Sequence, residues 1–373
     1  MDLKALHAKL KSLKSPDYRL KQAMRSYYQD LLPGWAEIST WPKDLREACS
    51  DLEWSPLELI HEQTTEEPAS AKLLFQTQDK LRIETVIMRH RDGRNTVCIS
   101  SQAGCAMGCT FCATGDQGLS RNLTSGEIVD QVVQAARWLK TYNAKRITQE
   151  TDQRTSGLAD GFRVTNVVFM GMGEPFNNSD EVFEALKRLM DQDMFGLGAR
   201  HISISTCGII PGIQRLAKEA PQVNLAISLH APTQELRAKL MPVAKAYTLD
   251  RLMDVIKDYL RKTNRKVMFE YVMLRTINDR IEDAEKLAEL LSGFRHLAHV
   301  NLIKYHPPSL KTTSDSVGLR RTGKYQASSQ DTRRIFANTL KRRGIAVTER
   351  ISFGEEIEAA CGQLAGKKID DER

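Results

Sequence analysis

Three cysteines crowd into eight residues, Cys105, Cys109 and Cys112 in GCAMGCTFCATG (104–115). A structural zinc site wants a fourth ligand near by, a second Cys-x2-Cys or a His pair. None follows in the next 80 residues. Three thiolates can instead hold three irons of a [4Fe–4S] cube and leave the fourth iron open. An open iron can chelate the amino and carboxylate groups of S-adenosylmethionine (SAM). One electron passed into the sulfonium then breaks a C–S bond and yields an adenosyl radical. Phe111, just before the third cysteine, fits this pattern. GMGEP (171–175) supports it, because its glycines permit close backbone approach to a ligand and its carboxylate can hold an ammonium group.

These residues must be held by a framework, and the chain is rich in β–α alternation. LRIETVIMRH and NTVCIS read as strands joined by a turn at Arg91-Asp92-Gly93. Strands follow at 164–171, 201–206, 223–230, 266–274, 299–306 and 345–351. Helices fall at 179–191, 211–219, 248–263, 281–292 and 329–342. Repeated units of this length predict an α/β fold with a parallel sheet, open or curled into a barrel, and chemistry at the C-terminal strand ends. Before it, Leu3, Leu6, Leu10 and Leu13 recur at helical spacing, and a second helical run covers Tyr18 to Leu32. Residues 1 to about 75 therefore read as a small helical domain. The polar stretches 145–162 and 309–328 read as surface loops.

The 373 residues are 41% hydrophobic and 27% charged, an ordinary globular balance. No run approaches a transmembrane length and the N-terminus lacks an apolar signal region, so the expectation is a cytoplasmic protein. Seven cysteines, an odd number with three clustered, do not resemble a disulfide framework. The net charge of +7 is mildly basic, with clusters at Arg261-Lys262, Arg320-Arg321, Arg333-Arg334 and Lys341-Arg342-Arg343. A polyanionic partner fits, as does a solvated surface.

Taken together, the motifs resemble the RlmN/Cfr family of radical SAM RNA adenosine methyltransferases over nearly the whole chain, about Pro16 to Gly366. The matching stretches are IETV (83–86), VCISSQAGCAMGCTFCATG (97–115), RNLT-x-GEIVDQV (121–132), FMGMGEP (169–175), SISTCGIIPGI (203–213), NLAISLHAP (224–232), FEYVML (269–274), VNLI (300–303) and AACGQLAG (359–366). The resemblance implies a radical SAM partial (β/α) barrel over 79–355, a helical RNA-contacting domain over 1–78, and a C-terminal segment, 356–373, that carries a methyl-accepting cysteine. It implies methylation of an adenosine of 23S rRNA, with tRNA as a second candidate substrate, at C2 or C8. A reducing donor such as flavodoxin and a monomeric, membrane-free state go with it.

The chemistry behind that implication is specific. The ring carbon is electrophilic and cannot attack the electrophilic methyl of SAM. In the family, one SAM methylates a cysteine, which matches Cys361 here. A second SAM gives the radical that takes a hydrogen from the S-methyl group, and the methylene adds to the ring. A second cysteine, matching Cys98, resolves the covalent adduct and leaves a Cys98–Cys361 disulfide. Glu84 matches the acid–base residue for the ring proton. Gly173, Glu174, Ser205, Ser228, Leu229 and His230 match SAM-contacting positions. His306 stands where the family has an Asn near SAM, and Cys207 has no family role. Apart from the resemblance, Cys98 and Cys361 read as small buried hydrophobes and His230 as a core histidine. CATGD-x-GL, GIIP, PQVNL and the Glu84-to-Cys98 spacing resemble Cfr, whereas GMGEP and EYVML resemble RlmN; the balance leans to Cfr. A radical SAM enzyme on another substrate, or a non-catalytic metal-containing RNA-binding protein, are the alternatives.

Overall fold

The computed structural model describes residues 1–66, 69–149, 163–307 and 324–366. Its N-terminal region is helical where the leucine spacing predicts, but shorter. The Asp2 carboxylate accepts from the backbone N–H groups of Lys4 and Ala5 and so starts α1, Leu3–Ser12. α2 covers Tyr18–Tyr28 and α3 Lys43–Ala48. Leu6 and Leu10 are buried, whereas Leu13 falls at the helix end and is exposed. Trp35 meets Trp54 edge-on with ring centroids 4.7 Å apart, and Tyr27 meets the same indole at 5.5 Å. Aromatic pairs of this geometry add to the area they bury.

The expected helical character does not reach residue 75. Residues 57–77 form two antiparallel strands instead, β1 (Leu57–Thr65) and β2 (Ser70–Thr77), and β2 continues the pairing into β3 (Arg82–Arg89). The reason is visible in SAKLLFQT, which is buried almost throughout rather than along one helical stripe. A boundary at 78 therefore falls between two paired strands. The N-terminal region is also fastened to the rest of the molecule. The buried Asp130 carboxylate accepts from the Tyr27 hydroxyl, the Ser55 hydroxyl and the Leu57 backbone N–H. Truncation at that boundary would strand this charge and strip two strands from the sheet.

The remaining elements alternate. β4 is Asn95–Cys98, β5 Gln102–Cys105, α4 Ala113–Gln117, β6 Gly118–Asn122, α5 Ser125–Gln149, β7 Asn166–Phe169, α6 Ser179–Met190, β8 Ile202–Thr206 and α7 Ile210–Glu219. Then come β9 Asn224–Ser228, α8 Gln234–Leu240, α9 Leu249–Thr263, β10 Val267–Met273, α10 Ile281–Leu290, β11 Ala298–Lys304, α11 Gln330–Arg342 and β12 Ala346–Glu349. Ten strands make one sheet in the order β1-β2-β3-β4-β7-β8-β9-β10-β11-β12. The ladders from β1 to β4 are antiparallel; those from β4 to β12 are all parallel. Among the described residues its edges, β1 and β12, do not pair with each other, so the sheet described is open. β5 and β6 form a separate hairpin.

Val97, Val167, Ile204, Leu225, Phe269 and Val300, one from each of the first six parallel strands, are all fully buried. Strands with both faces covered need such apolar runs. α5 begins with a reciprocal cap: Glu127 accepts from the Thr124 backbone N–H at 2.8 Å and donates its own to the Thr124 hydroxyl at 3.2 Å. α5 runs to Gln149, so the start of the stretch 145–162 is helix; 150–162 and 308–323 lie outside the described residues. Among the described residues no helix is long and apolar enough to cross a membrane.

Candidate active site

The three clustered cysteines sit on the loop between β5 and α4. Cys105 ends β5 and Cys112 immediately precedes α4. Gly104 makes the hairpin possible: its φ is +81°, and a Cβ there would lie 2.0 Å from the Gly118 carbonyl oxygen. The loop is tied down from three directions. Thr110 donates its N–H to the Leu240 carbonyl at 2.9 Å, at the end of α8. The Thr110 hydroxyl meets the Tyr325 hydroxyl at 2.8 Å. Ala113 N–H donates to the Gly362 carbonyl at 2.8 Å, and the Thr114 hydroxyl to the Leu364 carbonyl at 2.6 Å. The C-terminal segment thus lies along the cluster loop.

Burial pushes the Cys105 thiol up to about 12, and it pushes Cys109 and Cys112 up as well, with the neighbouring cysteines adding to the effect at Cys105 and Cys109. Three such groups ionise together only with cations among them. Among the described residues no three His, Cys, Asp or Glu gather tightly enough to hold one metal ion. A cubane takes one thiolate on each of three irons, so three cysteines on one loop fit it.

One pocket contains Cys105, Cys109 and Cys112 together with Gly173, Glu174, Ser205, Cys207, Ser228, His230, Glu270 and Cys361. Gly173 and Glu174 follow β7, Ser205 and Cys207 lie at the end of β8, and Ser228 and His230 at the end of β9, the strand ends where α/β folds place their chemistry; the three cysteines come from the β5–α4 loop and Cys361 from the C-terminal segment. Gly173 has φ +103°, and a Cβ there would come within 2.6 Å of the Gln102 side chain. The buried Glu174 carboxylate accepts from the Phe176 N–H at 3.0 Å and the Cys207 N–H at 2.7 Å. The Ser205 and Ser228 hydroxyls are 3.2 Å apart.

His230 has φ +57° and packs edge-on against Phe111 at 4.8 Å. Its Nδ1 accepts from the Val272 N–H at 3.0 Å, which leaves the proton of the neutral ring on Nε2. Burial, aided by the Arg237 charge, drops its pKa from 6.5 to about 3. The unfolded chain therefore binds more protons between those values, and His230 contributes stability that is present above pH 6.5 and lost on acidification. In urea melts, the stability gap between the wild type and His230→Asn is expected to shrink from pH 7 to pH 5. A constant gap would show that the ring is not held neutral.

Leu229 does not line the pocket. It is fully buried, and only its backbone serves the site, its N–H donating to the Glu270 carbonyl at 3.1 Å. Two further site residues, Glu270 and Arg350, were not picked out from the sequence. Glu270 on β10 is buried; its Oε1 accepts from Asn301 Nδ2 at 2.8 Å and lies 3.5 Å from the Arg350 guanidinium, while its Oε2 has no partner among the described residues. A buried carboxylate oxygen left open on a pocket wall suits a cationic ligand. Its signal was present, a lone acid inside the apolar strand VMFEYVM.

Behind this pocket lies a second chamber of about 420 Å³. Cys98, His306, Asn301 and Arg350 line it. Cys361, Met170 and Ile303 border both spaces. Burial pushes the Cys98 thiol up, whereas Cys361 is exposed, and the Arg350 charge acts to lower both. Both thiols are free; the disulfide implied by the family resemblance is not formed in this structure.

Two of the expected site residues lie outside the pocket of the three cysteines. His306 faces the second chamber and not the pocket of the three cysteines; its Nε2 meets the Ser352 hydroxyl at 2.7 Å and its Nδ1 lies 3.2 Å from Glu355. Burial holds its pKa below the usual histidine value. Glu84 lines neither space. The C-terminal segment folds over it, so its Oε2 accepts the Ala365 N–H at 2.8 Å while Lys72 lies 3.5 Å from its Oε1.

An open parallel sheet with three thiols and a glycine-lined carboxylate at its strand ends is the architecture of a radical SAM protein, and a model of the radical SAM superfamily matches residues 99–291. A radical SAM methyltransferase from Sphaerobacter thermophilus superposes with a TM-score of 0.85 at 38% identity, covering 98% of each chain. The probable dual-specificity RNA methyltransferase RlmN of Geobacillus kaustophilus is 41% identical over 95% of this chain and 88% of that protein. The Bacillus subtilis protein of the same name is 40% identical over 95% and 89%. The chain belongs to the RlmN family of radical SAM proteins.

Proposed function

We propose that this protein methylates an adenosine of 23S rRNA, with tRNA as a second substrate, and that it does so at C2. The choice of C2 follows the relatives, which carry the RlmN name, over the Cfr-like motifs of the sequence. The observation that carries the reading is the position of Cys361 on the wall shared by two spaces, one with the three cluster cysteines and one with Cys98.

Cys105, Cys109 and Cys112 would hold the [4Fe–4S] cluster. Glu174 and the open Oε2 of Glu270 would face the cationic groups of SAM, and His230 would present its Nε2–H to the same ligand. When bound, the reduced cluster supplies the electron that converts SAM into an adenosyl radical. Cys361 takes a methyl group from one SAM and offers it for hydrogen removal by the radical from a second. The methylene radical, still attached to Cys361, forms a C–C bond to the adenine ring carbon in the second chamber; the ring proton passes to a base and the surplus electron would return to the oxidised cluster. Cys98 attacks the Cys361 sulfur, the ring carbon leaves with the methylene group and is protonated, and a Cys98–Cys361 disulfide results. Arg350, close to both thiols, favours their ionised forms. Glu84 is the family's base for the ring proton, and the Ala365 contact must open before it can act. Mass spectrometry of rRNA digests, from cells with and without the gene, tests the function. A 2-methyladenosine that disappears with the gene is expected; an unchanged nucleoside profile overturns the reading, and 8-methyladenosine overturns the choice of C2.

Basic side chains border the chamber, each already beside an acid: Arg94 near Asp92 and Arg350 near Glu270. Arg333 at the start of α11 lies 3.7 Å from Glu349 on its wall. Phosphate contacts release counterions, so affinity for a hairpin RNA is expected to drop on the order of tenfold or more as salt rises from about 50 to about 200 mM. Filter binding across that range checks this, and a flat response would remove the phosphate contacts.

A further inference from the structure

Arg237, on α8, is the largest fully buried side chain of the molecule among the described residues. Its Nη2 donates to the Cys207 carbonyl at 2.6 Å and lies 3.4 Å from the Ser228 carbonyl. Its Nε and Nη1 are buried without any partner, and among the described residues no carboxylate lies within ion-pair distance. An unpaired buried cation is costly and calls for a compensating anion. The nearest elements supply one only if the cluster is in place. α8 ends at Leu240, whose carbonyl receives the Thr110 N–H between Cys109 and Cys112. The guanidinium charge acts on Cys109 and on Cys207, both on the wall of the cluster pocket; the acid on that wall, Glu174, accepts from the Cys207 N–H but makes no ion pair with Arg237 among the described residues.

We infer that Arg237 is the counter-cation of the iron–sulfur cluster, placed behind Cys109 to favour the more negative, one-electron-reduced state. This rests on the cluster reading above. Reduction adds one negative charge to a cube already bearing three thiolates, with the electron coming from an external low-potential one-electron donor. A fixed positive charge in a low-dielectric wall stabilises that added charge. The mechanism uses Arg237 for nothing else, and two nitrogens, with three N–H bonds, unpaired among the described residues are more than a bolt between two carbonyls requires.

The test is an EPR-monitored redox titration of anaerobically reconstituted protein, with titanium(III) citrate as reductant. Arg237→Gln and Arg237→Met, matched for iron content, are expected to be about tenfold harder to reduce, a shift of about 59 mV to more negative potential for one electron. Arg237→Lys keeps the charge without the planar fork and is expected to titrate close to the wild type. Uptake of cluster by the Lys variant but not by Gln or Met would also support the charge. Wild-type potentials in loaded Gln and Met variants overturn the inference. Equal failure of all three variants to load overturns it as well, since the fork and not the charge would then be needed. If the wild type itself takes up no cluster, the fault lies in the cluster reading and not in Arg237.

Discussion

Cys98→Ala protein, given SAM, reductant and substrate RNA, is expected to run on a denaturing gel as a shifted, nuclease-sensitive band, whereas Cys361→Ala protein is not. Both variants should lose turnover by roughly a thousandfold or more, as losses of chemically essential groups do. The difference between them comes from order. Cys361 borders both the cluster pocket and the chamber, so it can be loaded on one side and deliver on the other. Cys98 lines only the chamber and ends β4, where burial keeps it a thiol. It acts only on an adduct already made. Without it the adduct has no exit, and the protein stays joined to the RNA through Cys361. Free turnover by Cys98→Ala, or methylation by Cys361→Ala, would end the carrier mechanism and leave the superfamily assignment intact.

Cys109→Ala is expected to abolish both iron loading and SAM cleavage, measured by iron analysis and by release of 5′-deoxyadenosine after anaerobic reconstitution. The loop that carries Cys109 is pinned by contacts that do not involve its thiol, from Thr110 to Leu240 and from Ala113 to Gly362. The variant should therefore fold, and its defect should be confined to the missing ligand. Cys207→Ala is the control. Cys207 lines the same pocket, but its surroundings are the Glu174 carboxylate and Arg237. It should keep its iron. A full cluster in Cys109→Ala would overturn the ligand assignment, and loss of iron in Cys207→Ala would add Cys207 to the ligands.

The parallel strands and the helices between them were legible because each carries its own periodicity. VNLAISLH and KVMFEYVML show continuous apolar runs, and α9 shows a stripe of Leu249, Leu252, Met253, Ile256 and Leu260. The pocket residues Gly173, Glu174, Ser205, Ser228 and His230 were legible only through whole motifs, since no single one of them is informative alone. β1 and β2 were missed because their burial depends on neighbours on each side, which local pattern does not reveal. α5 was missed although Thr124 and Glu127 mark its start. The surroundings of Glu84 and His306 were not legible for another reason. Their partners, Ala365 and Ser352, lie 281 and 46 residues away, and only the folded C-terminal segment brings them together.

That segment also sets the pace at which the molecule can assemble. β4 pairs with β7 across some seventy residues, Thr110 meets Tyr325 across 215, and Thr114 meets Leu364 across 250. Each such closure spends chain entropy before it is rewarded. A ribosome therefore releases the cysteines of the cluster loop long before the wall that encloses them exists. Refolding from denaturant should be slow and limited by docking of the last dozen described residues. Until they dock, the iron-binding loop lies open to solvent, so the order of synthesis leaves a window in which the cluster can be delivered before the pocket is shut.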